Sequence, residues 1–283
     1  MENITRTVYG ATLQTATLLG KTPKIHPLST LNTKFGIQAD VLPTTLEVPV
    51  MKYMAIGIGG HTYTVGANGI PKPEPVQHRS RDAACYVHLP FVLREINNDL
   101  SVEQRKLYAL RRPETIKGIA YYAYYVRRIP LDDAEIDVEY VTSNGDQEIP
   151  SPFEPDSGDL NPTPPVIGNT GVNTVTNDYL QVTSKLDLSL NAFDVTELKN
   201  VARVLYDDEN FSIVSEVAMC SGVDKQVNTT GPGNSTISFN EAIGVQIVSH
   251  INAFYPLQFS PSGVEIIVDA GASEPLFQLT NVQ

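Results

Sequence analysis

"NEAIGVQIVSHINAFY", residues 240–255, decides how the second half of this chain is read. Ser238 and Glu241 form an S-x-x-E capping box at its start, the local signature of a helix N-terminus. A helix is therefore expected over 240–255. A second is expected in "VTELKNVARVLYD", residues 195–207, which begins at Asp194 with Glu197. Its Val195, Leu198, Val201, Ala202 and Leu205 fall on one stripe. Between and around them, "YLQVTSKLDLSL" (179–190) alternates apolar and polar residues as a half-exposed strand does. "FSIVSEVAMC" (211–220) reads as a buried strand ending at Gly222, and "GVEIIVDAG" (263–271) as a final strand. The resulting order is β-α-β-α-β with a small mixed sheet, so the chain is expected to be α+β.

The first half reads as β-rich with long loops. "TVYGATLQTATLLG" (7–20) is a short helix or an arm ending at Gly20. "LEVPVMKYMAIGI" (46–58) is a strand that Pro49 confines to an edge or a late start. "KGIAYYAYYVRRI" (117–129) has the tyrosines and β-branched residues of a strand, and "AEIDVEYVTS" (134–143) alternates, followed by the turn dipeptide Asn144-Gly145. Ser101 with Gln104 is a second capping box, predicting a helix over "VEQRKLYALRR" (102–112) that Pro113 stops. Residues 59–80 read as a long loop. Residues 150–178 hold six prolines and few core-forming side chains. They read as a linker or arm between a domain at 1–149, with an N-terminal arm and long loop, and an α/β-type domain at 179–283.

Composition narrows the function classes. The chain has 283 residues, 41% hydrophobic and 18% charged, enough to fold around a sizeable core. No apolar run reaches the roughly 18–20 residues of a membrane helix, and the first residues lack a secretory signal's basic start and apolar core. Synthesis in a cytoplasm is the expectation. Two cysteines, Cys85 and Cys220, are too few for a disulfide framework. The net charge of −12 is unevenly spread: residues 1–128 carry 16 Lys/Arg against 9 Asp/Glu, and residues 129–283 carry 4 against 23. Such polarity bears on partners and steering.

Motifs for chemistry are incomplete. The glycines at 57, 59, 60 and 66 follow a strand, but no helix and no Gly-Lys-Ser/Thr come after them, so no nucleotide cofactor is expected. His61, His78, Cys85 and His88 include a C-x-x-H pair, yet zinc sites pair their ligands twice, so no metal is assigned. Cys85, His88 and Asp82 are too close in sequence for a nucleophilic triad, whose members converge from distant positions. Asp207, Asp208 and Glu209 read as an exposed turn. No catalytic residue is assigned. The 13 tyrosines against no tryptophan, clustered at Tyr121, Tyr122, Tyr124 and Tyr125 beside Arg127 and Arg128, suit a protein interface. Phe153, Pro162, Pro164 and Pro165 are the interface candidates on the arm.

"KYMAIGIGGHTY" (52–63), "GIPKPEPVQHRSRDAACYVHLPFVLR" (69–94), "LNPTPP" (160–165) and "VLYDDENFSIVSEVAMCSGVDK" (204–225) give the chain its texture. In these stretches it resembles virion structural proteins of contractile-tailed bacteriophages, of the neck, head–tail connector or collar type. The resemblance implies a ring of six or twelve copies in the virion, between neighbours such as portal or connector and tail terminator or sheath. DNA would pass through the ring without specific binding, repelled by an acidic lumen. A capsid-associated or baseplate protein is the alternative. A small Cys/His- or metal-dependent enzyme is a third reading.

Overall fold

The computed structural model describes residues 3–66, 68–143, 147–162, 171–230 and 236–281. In chain order its elements begin with β1 (Asn3–Arg6), α1 (Val8–Leu18), α2 (Leu31–Phe35), β2 (Val50–Gly57), β3 (His61–Val65) and β4 (Pro71–Pro75). β5 (His88–Leu89), β6 (Val92–Glu95), α3 (Val102–Arg105), β7 (Tyr108–Ile116), β8 (Ile119–Arg128), β9 (Asp137–Ser143) and β10 (Glu148–Pro152) follow. The rest are α4 (Ser157–Leu160), β11 (Gly171–Asp187), β12 (Leu190–Asn191), α5 (Ala192–Tyr206), β13 (Ile213–Thr230), β14 (Thr236–Pro256), β15 (Gly263–Val264) and β16 (Ile267–Asn281).

The expected α+β class, with a β-α-β-α-β second half, is overturned. Residues 240–255 are strand, not helix: they lie in β14, which pairs antiparallel with β13 from Ile213↔Pro256 to Thr230↔Thr236. Ser238 does not cap a helix; its hydroxyl donates across the ladder to Asn228 Oδ1 at 2.8 Å. Five β-branched residues, Ile243, Val245, Ile247, Val248 and Ile251, fit a pleated, buried surface better than a helix turn.

A bulge lets this long strand bend. Ile243 pairs with Val223 and Gln246 with Ser221, so Gly244 and Val245 together face Gly222. Gly244 takes φ +60, and a Cβ there would sit 2.6 Å from Pro43 Cδ. The ladder groups freed by the bulge are taken by Asn32 of α2. Its amide donates to the Ala242 carbonyl at 2.9 Å, and its Oδ1 accepts from Val245 N–H at 2.9 Å.

α3 shows the same override. The Ser101–Gln104 capping box forms, but the helix stops after one turn and the chain enters β7 at Tyr108. Tyr108, Ala109 and Leu110 are consecutively buried, which pairing with β8 permits and a helix does not. Pro113 sits inside β7 because β7 pairs only with β8 among the described strands and needs no donor on its outer side. α5 is the helix expected over 195–207, but it starts three residues earlier, capped by Asn191 in a box with Asp194 and not by Asp194 with Glu197; its buried side chains include Val195, Leu198, Val201 and Ala202.

The chain divides into two units. The first joins Met1–Ile129 to Leu188–Ile266, the second Pro130–Asp187 to Ile267–Gln283. The division therefore falls at 129/130, 187/188 and 266/267 and not within 150–178, part of which is strand β11. The first unit is built on an eight-stranded sheet, ordered β1-β14-β13-β2-β8-β6, with β5 beside β2 and β7 beside β8. α1 and α2 pack on β14 and α5 on β6. Its core includes Tyr53, Met54 and Ile56 of β2, Leu110 of β7 and Tyr124 of β8, all fully buried. Each such side chain contributes roughly 1.5–3 kcal/mol. Within 59–80, expected as loop, β3 and β4 form a two-stranded ribbon. The second unit is a four-stranded antiparallel sheet, β10-β9-β11-β16, with the short α4.

Candidate functional site

The glycine stretch is shaped by a carboxylate. Glu216, fully buried on β13, accepts from Gly59 N–H (2.7 Å), Tyr86 N–H (2.6 Å), Val87 N–H (3.3 Å) and His78 Nε2 (2.8 Å). Burial pushes its carboxyl up, but these bonds, His78 first, outweigh it and hold the group below the usual carboxylate range. The backbone can come this close only without side chains. A Cβ on Gly57 would lie 2.4 Å from Glu216 Oε2, and one on Gly60 2.3 Å from the Ser215 carbonyl. Close approach, not positive φ, is why glycines stand at 57, 59 and 60.

His78 is clamped around this carboxylate. Its ring stacks between Tyr86 (4.0 Å) and His250 (3.7 Å), and Nδ1 faces Asp82 Oδ2 at 3.3 Å. His250 Nε2 donates to the Asp82 carbonyl. Burial pulls the His250 imidazole down to about 4 and the His88 imidazole down to about 3. The Cys85 thiol is driven well up by burial, with Glu216 adding to the shift. His88 Nε2 accepts from the Cys85 backbone N–H at 3.0 Å, while Asp82 serves His78. Cys85, His88 and Asp82 are thus neighbours without the nucleophile–base–orienter relay of a triad. His61 sits apart, edge-on to Phe254. Among the described residues no group of three or more His, Cys, Asp or Glu has metal-holding geometry. The cluster ties the loop before β5 to the middle of the sheet.

The aromatic strand is largely consumed inside the chain. Tyr121, Tyr124 and Tyr125 are buried. Tyr124 donates to Asp99 and Tyr125 to Glu114, each at 2.6 Å, and Tyr125 stacks on Phe35. Arg127 pairs with Asp194 at the start of α5 (2.6 Å) and donates to the Ser189 carbonyl. Arg128 pairs with Asp224 (2.5 Å) and donates to the Asn240 carbonyl. Tyr122 is half-buried beneath the Arg111 guanidinium. Pro162 is exposed; Pro164 and Pro165 lie outside the described residues.

A surface that sequence reasoning missed lies on the second unit's sheet. Val138 is opposite Val182, and Val182 opposite Ala272, so the three form one row across β9, β11 and β16. Two residues along, Tyr140, Leu180 and Glu274 share that face; in the other direction Ser184 and Ala270 do, and then Leu186 and Val268. Ile149 joins through its partner Thr142, and Phe153, whose N–H bonds the Val138 carbonyl, extends it. Only Leu186 of these is buried; Val138 is 40% exposed, Val182 41% and Ile149 54%. Among the described side chains of this unit, Leu186 and Val141 are the buried apolar ones. The unit also carries 14 Asp/Glu against one basic residue, Lys185. The face is largely apolar, with Ser184 and Glu274 also on it, and it stands on an acidic body; exposed apolar patches are the kind of surface that partners cover.

A family model, described as a family of unknown function (DUF7208), matches residues 1–283. The chain belongs to the DUF7208 family. No curated protein and no solved structure matches it. What this DUF7208 member offers to a partner is therefore argued from its own surfaces. The signal for the missed face was present: β9 and β11 alternate, but which alternating set faces a neighbour depends on β16 returning to pair with β11.

Proposed function

We propose that this DUF7208 protein is a structural component of a tailed-phage virion, forming a ring at the head–tail neck around the DNA channel. The observation that carries the assembly reading is the uncovered apolar face of the second unit. Among the described side chains of this four-stranded sheet two are buried and apolar, and a sheet needs a covered apolar face for independent stability. Covering Val138, Val182, Ile149 and their neighbours with another chain removes that apolar area from water. The place in the virion rests on the resemblance of residues 52–63, 69–94, 160–165 and 204–225 to neck-type proteins. The acidic surplus of the second unit suits a wall past which phosphates slide.

Imaging of virions with a tag fused to this chain tests the proposal. Ring density at the neck is the expected result. Density at the baseplate or on the capsid would keep the structural role and move its place; absence from particles would overturn it.

A further inference from the structure

A cleft of about 510 Å³ opens in the first unit among α3, β7, β8 and the facing stretches of β13 and β14. Four cationic side chains line it: Arg105, Lys106, Arg111 and Arg128. Two of these are answered within the chain: Arg111 pairs with Asp99 at 2.8 Å, and Arg128 with Asp224, which also takes Lys52 and the Tyr53 hydroxyl. Lys106 pairs with Glu103 at 2.8 Å, but both side chains are largely exposed. Glu241, the second acidic group in the lining, accepts from Gln38.

Arg105 is different. Its guanidinium carbon lies over the Phe239 ring, 3.5 Å from the centroid, and among the described residues it has neither an ion pair nor a hydrogen bond. The residue is half-buried; burial, with Arg111 nearby, disfavours its charged form, while Tyr124, Asp99 and Glu241 offset part of that. A guanidinium is a rigid fork of five donors matched to a carboxylate. Here it lies against an aromatic ring, partly stripped of water and without a described ion pair. That is a seat for an anion.

The chain itself holds a matching anion. The turn at 131–136, Leu-Asp-Asp-Ala-Glu-Ile, belongs to the acidic second unit. Asp132, Asp133 and Glu135 are exposed, and no described ion pair or hydrogen bond engages their carboxylates. Ile136 beside them is 74% exposed, an apolar group for a cleft lined by Phe239, Tyr108 and Tyr124.

We infer that the Arg105 cleft receives the acidic turn 131–136 of a second copy, a carboxylate docking on the Arg105 fork. The inference deepens the assembly reading and rests on it. It gives the contact a direction, basic cleft to acidic turn, a head-to-tail contact of the kind that forms a ring when its rotation closes.

The test is self-association of the full chain by sedimentation velocity, with a charge-reversal pair. Arg105→Glu is expected to weaken association at least about tenfold. Mixing it with the Asp132→Lys, Asp133→Lys variant should restore mixed assemblies. Arg105→Lys, which keeps the charge but loses the fork, should fall between. A peptide spanning 130–139, titrated into the unaltered chain, should bind saturably and be weakened by Arg105→Ala and by added salt. This measurement does not depend on the variants assembling. Association that ignores Arg105→Glu, or a chain that binds phosphate or an oligothymidylate but not the peptide, overturns the cleft while leaving the assembly reading intact. A chain monomeric at every concentration and absent from particles overturns both.

Discussion

Glu216 is the residue on which the loop before β5 hangs. Replacing it with Gln leaves one oxygen for donors that now use two, and turns an NH₂ toward backbone N–H groups. Glu216→Gln is expected to cost at least about 2 kcal/mol, read as a lower denaturant midpoint with unchanged slope. The histidines predict a pH dependence. His88 and His250 are held neutral to about 3 and 4, whereas unfolded histidine titrates near 6.5. Below about 6.5 the unfolded chain takes up protons that the folded chain refuses. Stability is then full above that pH and falls on acidification, by about 1.4 kcal/mol per unit for each histidine, until the folded values are reached. Glu216, held below its ordinary range, adds to the loss at the acid end of that window. Thermal midpoints from pH 7 to 4 should show this fall, and His88→Gln should make it shallower. A midpoint that stays level over that range would contradict the burial of these rings.

At the scale of elements, the bulge in β14 and its partner α2 form one device. Asn32→Ala strips the hydrogen-bond partners from Ala242 C=O and Val245 N–H in a buried place, for an expected loss of about 2–3 kcal/mol. Gly244→Ala meets Pro43 and must hold φ +60, and is expected to cost about 1–3 kcal/mol. If the two act on one device, the double variant loses less than the sum of the singles, which a double-mutant cycle by urea unfolding reads directly. Capping boxes, by contrast, fix neither the turn nor its length by themselves. Ser101–Gln104 forms a single turn, and Ser238-x-x-Glu241 forms none, because β8 and β13 offer those segments a ladder. Asn191–Asp194 heads a full helix because the apolar stripe behind it has the sheet to pack on.

For the whole molecule, the charge imbalance belongs to the second unit more than to the second half of the sequence. That unit has 14 acidic residues and one basic, while the remaining 18 acidic and 19 basic residues nearly cancel in the first. If its apolar face is the assembly surface, Val138→Lys with Val182→Lys should abolish self-association. Thermal unfolding of the first unit should stay unchanged, since neither residue is buried. Sedimentation and calorimetry on the same sample separate these outcomes. Unaltered association would remove the apolar face from the assembly surface.

Much was determined by local chemistry alone: the strands at 50–57, 119–128, 137–143 and 213–220, a helix through 195–206 though not its start, and the acidic surplus. Each follows from side-chain periodicity or charge, which neighbours along the chain supply. Tertiary structure decided the rest: that 240–255 is strand, that Ile267–Asn281 returns to β11 and splits the units, that Glu216 gathers four donors, and that Tyr124 and Tyr125 turn inward. The reason is distance along the chain. A ladder's hydrogen bonds and a buried carboxylate's donors come from segments tens to more than a hundred residues away, and local propensity carries no record of them.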